Sequence, residues 1–167
     1  TSITIMILLI AGFFMLLEYF KYSLLATRMT KIYTNESNSR CAVVFSYGAL
    51  QGYTLYVGVV DESKSGPNLT ILGPVYYNDI PLKLESVVIS SDGSVVAAKS
   101  NFYFGQKDTS YWLAYDFKNS ICYGEDWSNI SRDPKLIKTR GRAISELLQS
   151  RGGIAKEFSK DDLSLDY

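Results

Sequence analysis

The chain has 167 residues, with 17 basic and 17 acidic side chains, no histidine, two cysteines and 47% apolar residues. That length suits one ordinary domain with a real core, and zero net charge argues against a general nucleic-acid binder, which carries a basic surplus. Without histidine, Ser-His-Asp and Cys-His catalysis and His-containing zinc sites are excluded, and two cysteines do not complete an all-cysteine zinc site.

The first 17 residues carry no charge, and Ile3 to Leu17 is apolar apart from Thr4 and Gly12. A membrane span takes about 20 mostly apolar residues at about 1.5 Å each. The stretch predicts one continuous helix from about Ile3 to about Tyr33, forming a unit over 1–33, with its bilayer portion ending near Tyr22. Glu18 and Lys21 stand three apart, as a helical pair does. Tyr19, Phe20 and Tyr22 suit an interfacial belt, and Lys21 and Arg28 suit the headgroup side. The segment Glu18 to Arg40 has net charge +2, which by the positive-inside rule favours a cytoplasmic remainder. Cys41 and Cys122, read as a candidate disulfide, point the other way. So do three N-x-S/T sequons, at Asn35, Asn68 and Asn129. The expectation is a single-pass membrane protein in contact with lipid, with its β domain outside the cytoplasm.

From 34 to 131 the pattern changes to short β-rich runs with turn punctuation. Strands are expected at Cys41–Tyr47, Tyr53–Val60, Asn68–Tyr77, Leu84–Ser90, Ser94–Lys99, Asn101–Phe104, Ser110–Phe117 and Ser120–Tyr123. Ser91-Asp92-Gly93-Ser94 is the clearest hairpin turn. Leu84 to Tyr123 reads as a four-stranded antiparallel meander and resembles a single β-propeller blade, although no repeat recurs along the chain. In Ser110–Phe117, Tyr111, Leu113, Tyr115 and Phe117 share one face. Tyr53–Val60 is largely apolar on both faces, as in a central strand.

An amphipathic basic helix is expected over 132–151, with Asp133 as cap, Pro134 at the first position and Gly152-Gly153 as stop. Leu136, Ile137, Ala143, Ile144, Leu147 and Leu148 fall on one face, and Lys135, Lys138, Arg142, Glu146 and Gln149 on the other. Gly141 weakens it by about 1 kcal/mol relative to alanine. A polar tail follows over 152–167, loosely docked or mobile. The fold class is therefore a transmembrane helix plus a mainly antiparallel β domain, meander or sandwich-like, with one C-terminal amphipathic helix (α+β).

The acid pairs Asp61-Glu62, Glu125-Asp126 and Asp161-Asp162 are adjacent in sequence, not placed to converge across a pocket. The chain contains no phosphate-binding loop, dinucleotide fingerprint or EF-hand. No cofactor, metal or catalysis is expected. The one enrichment is aromatic, 14% with 13 tyrosines. Most aromatics belong to strands, and the surplus suggests contact surfaces. Tyr76, Tyr77, Tyr103, Trp112, Trp127 and the helix residues Lys135, Lys138 and Arg142 are the interface candidates.

The layout resembles that of type IV pilins: an uncharged apolar helix at the N-terminus, then a β domain with two cysteines. Pilins carry a glutamate at the fifth position, and here that residue is Ile5. The resemblance implies a filament subunit. The net charge is itself a cancellation: +2 over 18–40, −4 over 41–131, +4 over 132–151 and −2 over 152–167. Segregated charge of this kind suits contacts with other subunits or copies of the same chain. The expected function is a non-enzymatic, membrane-anchored assembly subunit of a complex or filament. The alternative is a membrane-tethered module that binds a glycan, peptide or small ligand outside the cytoplasm.

Overall fold

A computed structural model describes residues 29–35, 39–47, 54–62, 68–77, 82–104, 107–124 and 133–164. Eight strands follow one another antiparallel in sequence order: β1 (Met29–Tyr33), β2 (Arg40–Tyr47), β3 (Thr54–Asp61), β4 (Asn68–Tyr77), β5 (Leu82–Ser90), β6 (Val95–Phe104), β7 (Lys107–Asp116) and β8 (Ile121–Tyr123). A helix, α1 (Pro134–Ser150), and a last strand, β9 (Ile154–Ser159), complete the chain. The domain is thus mainly antiparallel β with one C-terminal helix, an α+β fold.

The sheet is two meanders joined at a narrow bridge. β4 and β5 share a single residue pair, Tyr77 with Leu82, whereas β6 and β7 pair over their full lengths. One buried cluster draws on both halves, combining Ile32, Val44, Leu55, Val57 and Leu72 with Leu84, Val87, Ile89, Leu113 and Tyr111. The Ser100 hydroxyl of β6 donates to the Val75 carbonyl of β4 at 3.1 Å, tying the two layers across this core. The second meander is apolar on its other side too. Val88, Val95, Ala97 and Ala114 pack there against Ile144 and Leu148 of α1. Period-2 alternation divides the strands between the two cores: in β7, Leu113 faces the first and Ala114 the second. Each large aliphatic buried this way contributes about 1.5–3 kcal/mol.

Four expectations are corrected. Met29–Tyr33 is a strand, not the end of a helix: Ile32 and Thr34 are buried while Lys31 and Tyr33 are exposed. That alternation, with β-branched side chains on the inner face and β2 available for pairing, overrides helical continuity. Ser94–Lys99 and Asn101–Phe104 are one strand, continuous opposite β7. The part of the tail that is described, 152–164, is not loose. β9 pairs with the edge of β5 that β4 leaves open, Leu163 is buried in the first core, and the Thr30 hydroxyl donates to the Leu163 carbonyl at 3.3 Å. Finally, the buried stripe of α1 is Ile137, Ile144 and Leu148, while Leu136 and Ala143 are exposed.

Among the described residues no helix is long and apolar enough to cross a membrane. The predicted membrane helix, with Glu18, Tyr19, Lys21, Tyr22 and Arg28, lies outside them.

Candidate functional site

The helix and the sheet face beneath it hold four of the side chains singled out by sequence, Trp112, Lys135, Lys138 and Arg142. Asp133 caps α1 as expected, its carboxylate accepting the Lys135 N–H at 2.9 Å, with Pro134 following it. The helix crosses β7 at Gly141. A methyl group added there would lie 3.2 Å from Trp112 Cδ1, so the glycine permits close approach of helix to indole. Lys99 places its ammonium 5.9 Å from the Trp112 ring centroid and pairs with Glu85 at 2.7 Å. Arg140 places its guanidinium 5.8 Å from the Tyr111 ring centroid.

The C-terminal end of α1 is fastened to two turns. Arg151 donates from Nη2 to the Asp116 carboxylate at 2.8 Å. Asp116 is fully buried, and it also accepts from the Lys118 N–H, the Asn119 N–H and the Asn119 amide. Burial works against its ionised form, and these donors, Arg151 foremost, outweigh burial and lower its pKa. The Arg151 carbonyl accepts the Asp92 N–H at 3.3 Å, and the Gly153 carbonyl accepts the Ser91 N–H at 2.9 Å. Asp92 closes the β5–β6 turn by accepting from Ser90 and Ser94. Gly93 sits there with positive φ, its α-carbon against the Thr34 carbonyl, where a Cβ has no room.

On the outer side of α1, Lys135, Lys138 and Arg142 are exposed, and Leu136, 55% exposed, stands at its flank, about 100° around the helix from Lys135. Glu146 is the one acidic residue between Pro134 and Ser150. Lys135, Lys138 and Arg142 form a basic strip on this side of the helix.

The aromatic candidates distribute differently. Trp112 is half-buried under the helix, and Tyr76 is half-buried against the first core, so both are engaged in packing. Tyr77 closes the β4–β5 bridge and Tyr103 pairs with Asp108 in the β6–β7 hairpin. Trp127 lies outside the described residues, as does Asn129. Asn35 is tied into the β1–β2 connection, donating to Ser39 and accepting the Arg40 N–H, and Asn68 opens β4.

The candidate disulfide is corrected. Both cysteines are free thiols, Cys41 buried in β2 and Cys122 exposed in β8, on strands of different meanders. Burial pushes both thiols above their ordinary pKa, so both stay protonated at neutral pH. Among the described residues no group of three or more Cys, Asp or Glu side chains is placed to hold a metal ion.

Alternation marks a face of a strand without saying what covers it, so the packing of Trp112 and Tyr76 was not readable from sequence. The Arg151–Asp116 fastening was missed because its partners stand 35 residues apart. Comparison with known protein families, with curated proteins and with solved structures finds no match to this chain.

Proposed function

We propose that this protein is a non-enzymatic, membrane-anchored assembly subunit. The uncharged stretch Ile3 to Leu17 holds it in the bilayer, the β domain lies outside the cytoplasm, and the outer side of α1 meets an acidic surface of a neighbouring subunit or copy. The observation that carries this reading is the exposed strip of Lys135, Lys138 and Arg142 on the side of a helix opposite the one committed to the sheet. Clustered cations suit a contact with an acidic protein surface, whose approach they steer. A tethered ligand-binding module, the competing reading, would rest on strand aromatics, and Trp112 and Tyr76 are already engaged in packing.

The test is to solubilise the native membrane in mild detergent and size the particle. The wild-type chain is expected in a complex, and the triple variant K135E/K138E/R142E to dissociate from it at physiological ionic strength while keeping its unfolding midpoint. A monodisperse wild-type monomer refutes the reading.

A further inference from the structure

The first meander turns one face to the core, and its other face is equally apolar. The pairing registers lay that outer face out in three cross-strand rows: Tyr33–Cys41–Val60–Leu69, Lys31–Val43–Gly58–Ile71 and Met29–Phe45–Tyr56–Pro74. Lys31 is the one charged residue in these rows. Antiparallel sheets that expose a face to water alternate apolar with polar side chains, and this one does not.

Burial across the rows is uneven. Tyr33, Leu69 and Ile71, on β1 and β4, are 44%, 50% and 51% exposed. Cys41 and Val43, on β2, are each 2% exposed, although neither belongs to either core cluster. Gly58 stands beside Val43 in the register with no side chain of its own, and the Leu69 side chain reaches over it, its Cδ1 3.0 Å from where a Cβ would stand. The middle of this face is therefore shielded from a direction that neither core supplies.

We infer that the outer face of the first meander is the docking surface for this chain's own segment 18–28. That segment runs without a break into Met29, the first residue of β1, which pairs with Phe45 on β2 beside the shielded residues. Its chemistry fits an apolar sheet face: Tyr19, Phe20, Tyr22, Leu24, Leu25 and Ala26 provide apolar area, and Glu18 is the one acid to set against Lys31. Its length fits as well. Four strands at about 4.8 Å spacing span about 14 Å, and 11 residues reach about 16 Å as a helix or about 36 Å extended. Docked this way, the segment holds the β domain in a set orientation to whatever precedes residue 18. The inference stands independently of membrane anchoring.

Cys41 is a built-in reporter. In the full chain carrying Cys122→Ser, Cys41 is the sole thiol, and its labelling by a maleimide under native conditions measures the shielding. Slow labelling is expected, and the double variant Leu24→Glu/Leu25→Glu is expected to speed it at least tenfold without moving the urea midpoint of the domain by more than its error. Unchanged labelling overturns the inference, because the sheet's own side chains then bury Cys41. Single cysteines introduced at 19 to 26 in the same background, oxidised with copper phenanthroline, identify the occupant. An intramolecular disulfide to Cys41 supports the chain's own segment, and a disulfide-linked dimer as the sole product assigns the face to a second copy and overturns it.

Discussion

Replacing Arg151 by methionine keeps the side chain's apolar stem and removes the guanidinium that Asp116 accepts at 2.8 Å. The carboxylate is then left fully buried, with the Lys118 N–H, the Asn119 N–H and the Asn119 amide as its remaining donors. A hydrogen bond to a charged group contributes about 1.5–3 kcal/mol, and breaking a buried ion pair from one side costs about 3–5 kcal/mol. Because three donors stay in place, the lower end of that range applies, and Arg151→Met is expected to destabilise the domain by about 3 kcal/mol. The assay is urea unfolding followed by tryptophan fluorescence in a W127F background, so that Trp112, under α1 beside Gly141, reports alone. Asp116→Asn in combination with Arg151→Met should cost less than the two single changes summed, with a coupling of about 1–2 kcal/mol. The pH dependence has a definite sign. The folded pKa of Asp116 lies below its unfolded value, so its contribution is full above the unfolded pKa of about 3.9 and is lost as pH falls through the folded pKa. The gap between wild type and Arg151→Met should therefore close in strong acid. A cost below about 0.5 kcal/mol, the range of ordinary surface changes, refutes the claim that this pair fastens the helix.

Leu163→Ala should cost about 2–5 kcal/mol, read as a shift in the same urea curve, since Leu163 is buried in the first core; an effect near zero would make the C-terminal segment a dispensable tail. Gly93→Ala should destabilise by about 1–3 kcal/mol, because the residue has φ of +67° and an added Cβ would press on the Thr34 carbonyl; calorimetry measures it. Gly141→Leu should separate α1 from β7, seen as a red shift of Trp112 emission, whereas Gly141→Ala gains about 1 kcal/mol of helix propensity and loses a comparable amount to crowding at Trp112. In the wild-type chain, Ellman's reagent should titrate Cys122 well before Cys41, since Cys122 is exposed and Cys41 buried; equal rates would contradict the burial of β2.

Strand and helix identities were legible where chemistry is local. The Asp92-Gly93 turn closes the β5–β6 hairpin because glycine alone accepts that φ without strain and the aspartate can gather neighbouring hydroxyls. Asp133-Pro134 and Gly152-Gly153 bracket α1 because capping is decided within a few residues. Of the interface candidates, the exposure of Lys135, Lys138 and Arg142 was readable from helical period, and the burial of Trp112 and Tyr76 was not.

What the sequence by itself determined is the alternation of apolar and polar residues, and hence the meander, its main turn and the helix with its basic side. Tertiary structure alone decided the rest. Ile154–Ser159 is a strand because β5 has an edge that the one-pair bridge to β4 leaves open. Met29–Tyr33 is a strand because β2 lies beside it. Cys41 and Cys122 stay apart because β2 and β8 belong to different meanders. In each case the free energy comes from a partner distant in the chain, and pattern within a short window holds no information about which edges and faces a fold leaves unfilled.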